Sequence, residues 1–178
     1  LNPPEDLDVA EIENLRVLLV DDSISSRRHL RRLLTELGIE RVIEAVNGKE
    51  AVKLLEEAMV DLVITDYKMP NLDGAEFIAR FRQLPECEEI PVIVITVYEE
   101  RSFRLRALEA GATDFLHSPV DHHEFVTRAR NLLKLHRHQL LLAGRVVTER
   151  RIERIEIALA DRGKTSISKA RKQIQIGM

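Results

Sequence analysis

LVITD, residues Leu62–Asp66, is a run of strand-forming residues that closes on a carboxylate, and the same pattern stands on either side of it. Val17–Val20 runs into Asp21 and Asp22, and Val92–Ile95 runs into Thr96. In an open parallel sheet ligands bind in the crevice at the carboxyl ends of the strands, so these oxygen-bearing side chains are expected to converge on one site.

Working outward, Arg16–Val20, Arg41–Ala45, Leu62–Thr65, Val92–Thr96 and Asp114–His117 read as short strands. Segments of helical periodicity lie between them. Leu30, Leu33, Leu34 and Leu37 form an i, i+3, i+4, i+7 stripe that Gly38 ends. Val52, Leu55 and Ala58 repeat the spacing. Asp73-Gly74 opens a third helix carrying Phe77, Ile78 and Phe81, and Phe103, Ala107, Leu108 and Ala110 are expected to face inward from a fourth, ended by Gly111. Strict alternation of strand and helix requires crossover connections, hence a doubly wound α/β domain with a parallel five-stranded sheet.

Composition sets the broad class. A chain of 178 residues with 44% apolar content can build one core and carry an appendage. Cys87 is the one cysteine, so no internal disulfide forms. No apolar stretch is long enough to span a bilayer and the N-terminus shows no signal pattern, so the reading is a cytoplasmic protein without a membrane partner. Residues 137–178 hold ten Lys or Arg against four Asp or Glu, a balance of +6 that leaves −9 on residues 1–136. That basic segment has no aromatic residue to stack on bases, and no direct nucleic-acid binding is expected.

The crevice chemistry follows from its charges. Asp21, Asp22 and Asp66, if close together and ionised, repel one another and call for a counter-cation. Carboxylate oxygens suit Mg2+, which keeps several waters and takes one or two carboxylates plus phosphate oxygens. Asp66 is then a candidate nucleophile for a phosphoryl group, with the Thr96 hydroxyl donating to a phosphoryl oxygen. Acids at strand ends also serve as solvated turn residues or helix N-caps. His117, His122, His123, His136 and His138 show no ligand spacing and read as surface histidines, and Cys87, between Glu86 and Glu88, reads as a loop thiol whose neighbours disfavour the thiolate.

The stretches LRVLLVDDS at Leu15–Ser23, VITDYKMPNLDG at Val63–Gly74, PVIVIT at Pro91–Thr96 and GATDFLHSP at Gly111–Pro119 resemble the receiver domain of two-component response regulators. The resemblance implies a flavodoxin-like sheet of order 2-1-3-4-5. It also implies phosphorylation on Asp66 by a histidine kinase or phosphotransfer protein, with no enzymatic activity beyond the domain's own phosphotransfer and dephosphorylation. By the same resemblance Asp21, Asp22, Asp66 and the backbone carbonyl of Lys68 hold Mg2+, Thr96 is the switch hydroxyl and Phe115 the switch aromatic. The chain departs from the family at Ser118, where a lysine usually precedes Pro119; serine is short and uncharged, and Lys68 is the candidate to compensate. Val97 is bulkier than the residue usual after the switch threonine, which narrows access and lengthens the phosphoryl lifetime. The Ser118–Pro119 bond is expected to be cis.

The domain plan reads as an acidic leader over 1–14, a receiver over 15–135, an extended helix over 136–161 with a coiled coil or a folded-back helix as its alternatives, and a basic mobile tail over 162–178. Leu140, Ala143, Val147, Ile152, Ile155 and Leu159 supply an irregular apolar stripe with Gly144 as its one interruption, from which a homodimer is expected. The function reading is a receiver that relays its signal through that helix. A pseudo-receiver that uses the fold as an interaction scaffold is the alternative, favoured by Ser118. A small phosphatase or nucleotide enzyme fits less well, because DDSIS at Asp21–Ser25 has neither a glycine-rich cradle nor a DxD pattern.

Overall fold

A computed structural model describes residues 12, 14–142, 157 and 160. Five strands, β1 (Arg16–Val20), β2 (Arg41–Ala45), β3 (Leu62–Asp66), β4 (Val92–Thr96) and β5 (Asp114–His117), alternate with five helices, α1 (Ile24–Glu36), α2 (Gly48–Glu57), α3 (Gly74–Gln83), α4 (Arg101–Ala110) and α5 (His122–Leu142). All pairings are parallel and the sheet order is β2-β1-β3-β4-β5. The order reverses at β1, whose neighbours are β2 and β3, so the switch point of the sheet lies between β1 and β3.

The alternation along each strand decides which face is which. Leu18, Val20, Val63, Val92 and Val94 pack into one core with Ala51, Phe77, Ile78 and Phe81 from α2 and α3. Val17, Leu19, Leu62, Ile64, Ile93 and Ile95 point the other way, onto Leu30, Leu33 and Leu34 of α1 and Phe125, Ala129 and Leu133 of α5. With both faces covered, the central strands read as continuous apolar runs.

Side-chain caps begin four of the helices. Ser23 accepts from the Ser26 N–H at 3.3 Å, Asn47 from Glu50 at 2.8 Å, Asp73 from Glu76 at 2.9 Å and Asp121 from Glu124 at 2.8 Å. Gly111 ends α4 in the left-handed region at φ 110°, which costs glycine nothing.

Two expectations are corrected here. Leu108 is 52% exposed: Phe103, Ala107 and Ala110 already form the inward stripe of α4, and the next position after Ala107 turns about 100° away. His136 is buried rather than a surface histidine, because it follows Leu133 by three positions on the inward stripe of α5. The Cys87 thiol lies in a loop and is pushed up, by burial more than by Glu86. The peptide before Pro119 is cis as expected.

The chain divides into two units, Leu1–His136 and Arg137–Met178. In the second, Leu142, Ile157 and Ala160 are helical and exposed. The expected leader lies outside the described residues apart from Ile12 and Asn14. Ala143, Gly144, Val147, Ile152, Ile155, Leu159 and the tail over 162–178 lie outside them entirely.

Candidate functional site

The switch point carries the site. Val20 stands opposite Thr65 in the β1–β3 ladder, so the next residues, Asp21 and Asp66, leave the sheet side by side. Their carboxylate oxygens and that of Asp22 lie within 4.8 Å of one another. Asp21 is buried and locked by the Ser23 N–H, which donates to Oδ1 at 2.8 Å. Asp22 is exposed and Asp66 half-buried.

Electrostatics set the character of this cluster. Burial raises the Asp66 pKa to about 7, reinforced by the Asp21 and Asp22 charges and opposed in part by the backbone N–H groups of Tyr67 and Lys68. The Asp21 carboxyl is pushed up as well, by burial and then by Asp22. Arg27 does not join the cluster through its carboxylates: it donates to the Asp21 backbone carbonyl at 2.6 Å and pairs with Glu44 at 3.5 Å. Three converging carboxylates, one of them with its pKa raised by burial and by the other two, are a donor set that fits a hard divalent cation.

Backbone geometry holds Asp66 in place. The Gly74 N–H donates to the Tyr67 carbonyl at 2.6 Å, and a Cβ at position 74 would come within 2.7 Å of the Asp66 carbonyl oxygen. That close approach is what demands glycine there.

A cavity of about 490 Å³ opens over the acids and is lined in part by Asp21, Asp22, Asp66, Lys68, Tyr98 and Ser118. Lys68 is the one Lys or Arg among its described lining residues. Its ammonium donates to the Tyr98 Oη at 3.0 Å and stands 4.9 Å from the centre of the Tyr98 ring. That hydrogen bond pushes the Lys68 pKa up and keeps it charged. Ser118 also lines this cavity, its N–H bonded to the Thr96 carbonyl at 2.9 Å.

Thr96 and Phe115 are not among the described lining residues of the acidic cavity. They line an adjoining cavity of about 410 Å³ together with Arg104, His117 and Arg128. The Thr96 hydroxyl is buried and accepts from the Tyr98 N–H at 3.0 Å. Tyr98 borders both cavities, and the sequence reading missed it. A tyrosine two residues past a strand end gives no sign of which way it turns; only the fold shows it reaching Lys68, thirty positions earlier. Among the described residues the three acids are the sole cluster able to hold a metal; His117, His122, His123 and His138 are exposed, with His117 and His122 facing Glu99 and Glu36, whereas His136 is buried, against the surface reading.

Comparison with known proteins points the same way. Residues 17–130 match the family model described as the response regulator receiver domain. The cyclic di-GMP phosphodiesterase response regulator RpfG of Xanthomonas campestris pv. campestris is 33% identical over 163 residues, which are 90% of this chain and 43% of that protein. The chain thus spans less than half of that relative's length. Chemotaxis protein CheY-3 of Vibrio cholerae is 32% identical over 107 residues, 60% of this chain and 82% of that one. Among solved structures, the receiver domain of the sensor histidine kinase PA1611 from Pseudomonas aeruginosa PAO1, with a magnesium ion coordinated in its active-site cleft, superimposes with TM-score 0.62 at 26% identity. The match covers 67% of this chain and 97% of that one.

Proposed function

This chain belongs to the response regulator receiver family, whose domains are phosphorylated by histidine kinases, and from that membership we propose that Asp66 is its phosphoacceptor, in a Mg2+-dependent reaction. The observation that carries the reading is the set of three carboxylates from adjacent strand ends, with Asp66 held near neutral pKa by burial and by the other two. Asp21, Asp22, Asp66 and the Lys68 backbone carbonyl are the groups that would hold the ion. When bound, Mg2+ supplies the positive charge that ionises Asp66 and offsets charge on the phosphoryl oxygens.

The chain's own residues do the rest. An Asp66 Oδ attacks the phosphorus of a phosphohistidine on the donor, a histidine kinase or phosphotransfer protein; the O–P bond forms as the P–N bond breaks, and the imidazole leaves with the electron pair. The Gly74–Tyr67 hydrogen bond keeps the Asp66 carboxylate aimed into the cavity. Thr96 turns its hydroxyl toward the phosphoryl, Phe115 responds in the adjoining cavity, and the signal leaves through the C-terminal helix of a cytoplasmic homodimer. Apart from its own phosphotransfer and dephosphorylation the chain has no enzymatic activity in this reading.

Incubation of the full chain with a small phosphodonor and Mg2+, followed by intact mass, tests it. One added phosphoryl group is expected, lost in Asp66→Asn and on chelation of the metal. Ser118 favours a second reading, a scaffold that never takes phosphate, and an unlabelled wild type would support that one.

A further inference from the structure

An aspartyl phosphate on Asp66 would place a charge of about −2 where the ionised carboxylate carries −1, in a cavity where carboxylates already crowd one another. Beyond a divalent ion, the described residues of the cavity wall offer one Lys or Arg, Lys68, and one histidine, His29, of which Lys68 follows Asp66 by two positions. Ser118, on the same wall, is neutral. The hydroxyl able to donate to a phosphoryl oxygen from β4, that of Thr96, accepts from the Tyr98 N–H, and Thr96 lines the neighbouring cavity. Both groups are held by one residue: Tyr98 takes the Lys68 ammonium on its phenol oxygen at 3.0 Å and gives its backbone N–H to the Thr96 hydroxyl at 3.0 Å.

We propose that Tyr98 is a positioning residue that keeps Lys68 and Thr96 in reserve, and that Lys68 is the side-chain cation that grips the phosphoryl group once Asp66 carries it. The inference rests on the receiver reading and adds to it the identity of the cation and of the residue that competes for it. Lys68 follows Asp66 by two positions on a flexible four-carbon stem, so leaving Tyr98 for the phosphoryl oxygens needs only side-chain rotation. The exchange is favourable because a neutral phenol acceptor is replaced by a charged phosphoryl oxygen. It also has a readout beyond the cavity. The Tyr98 ring packs on Phe103 of α4 with centroids 5.4 Å apart, and Phe103 meets Tyr67 edge-on at 5.1 Å. A Tyr98 released from Lys68 and Thr96 is therefore free to shift against the start of α4, coupling the charge at Asp66 to that helix.

The test uses the full chain, Mg2+ and acetyl phosphate, whose P–O bond breaks as the O–P bond to Asp66 forms and acetate leaves. Labelling rates are read by intact mass for wild type, Lys68→Met, Lys68→Arg, Tyr98→Phe and the double variant Lys68→Met with Tyr98→Phe. Lys68→Met is expected to slow labelling by about tenfold or more, Lys68→Arg to restore most of the rate, and Tyr98→Phe, which keeps the ring and frees the cation, to speed it about two- to fivefold. In the Lys68→Met background Tyr98→Phe should change nothing, because its effect runs through Lys68; a merely structural role for either side chain would leave the two changes additive. Labelling that depends on Asp66 yet runs at wild-type rate in Lys68→Met overturns this inference alone. An equal effect of Tyr98→Phe with and without Lys68 overturns the role given to Tyr98. An unlabelled wild type, or labelling that survives Asp66→Asn, overturns the receiver reading and this inference with it.

Discussion

Asp66 is the residue at which the chemistry and the stability of the domain meet. Its carboxyl stands at about 7 in the fold against 3.8 in an exposed chain, so between those pH values the folded state holds the extra proton. Stability then falls as pH rises through that window, because the unfolded chain binds fewer protons there. Allowing for solvent screening of a half-exposed group, the metal-free domain should lose roughly 1–2 kcal/mol between pH 4 and pH 8 from this residue. Thermal melts in chelator across that range should show the slope, and Asp66→Asn should flatten it; an unchanged slope would remove the assignment. The same proton opposes the metal. Below about pH 7 binding Mg2+ must displace it, so apparent affinity should rise with pH and level off above 7, with proton release visible by calorimetry in buffers of different ionisation enthalpy. Replacing the neighbours, Asp21→Asn with Asp22→Asn, should weaken Mg2+ at least about tenfold while raising the metal-free melting temperature by a few degrees, since crowded carboxylates are removed. Equal Mg2+ affinity in this variant and wild type would sink the cation site.

At the scale of elements, the strand-end loops turn a sheet edge into a site, and their geometry is tighter than any residue type alone announces. Gly74, the first residue of α3, is a case in which a single methyl decides the outcome. An alanine there places Cβ 2.7 Å from the Asp66 carbonyl oxygen and 2.9 Å from the Tyr67 Cα, both backbone atoms that cannot step aside cheaply. Gly74→Ala should cost about 1–3 kcal/mol in a denaturant melt and slow phosphorylation by shifting Asp66. A variant as stable and as fast as wild type would show that the loop yields. Asp73-Gly74 was legible in the sequence as a helix start, but the reason for the glycine was not, because it lies in the approach of α3 to the end of β3. The strands were legible nearly to the residue. Runs such as VLLV and VIVIT are buried on both faces, and their composition is fixed by that burial. The three acids were legible because each ends such a run. Leu108 was misassigned because α4 fills its inward stripe with two alanines and leaves leucines outside, so hydrophobicity alone points to the wrong face. Tyr98 stayed hidden because loop side chains follow no period. Thr96 was recognised as a residue, while the hydrogen bond its hydroxyl accepts from the Tyr98 N–H is one that no pattern encodes.

For the whole molecule, the remaining question is what the basic C-terminal segment does for an acidic body. Within the first unit, α5 buries Phe125, Ala129 and Leu133 against α1 and the sheet, and His136 is buried too, so the receiver needs this helix through that point. Beyond it Leu140 is half-buried, Leu142 is 87% exposed and Ile157 56%, while Leu135 inside the first unit is 53% exposed. Isolated helices with exposed apolar residues gain little on their own, and association is the usual way to cover them. The full chain should therefore be a homodimer by light scattering, and a chain ending at Leu142 should be a monomer that keeps its melting temperature within a few degrees and still takes one phosphoryl group on Asp66. Ending after Leu142 rather than before His136 matters, because a shorter cut removes a buried residue and confounds loss of the dimer with loss of the fold. A full-length monomer at high concentration would rule out the C-terminal segment as a dimer stalk. A truncated dimer would move the interface to the receiver body, where exposed Leu105 and Leu108 on α4 offer an apolar pair. If phosphorylation tightens the full-length dimer and leaves the truncated chain unchanged, the charge at Asp66 and the C-terminal segment are coupled by a free energy read directly from the shift in dimer affinity.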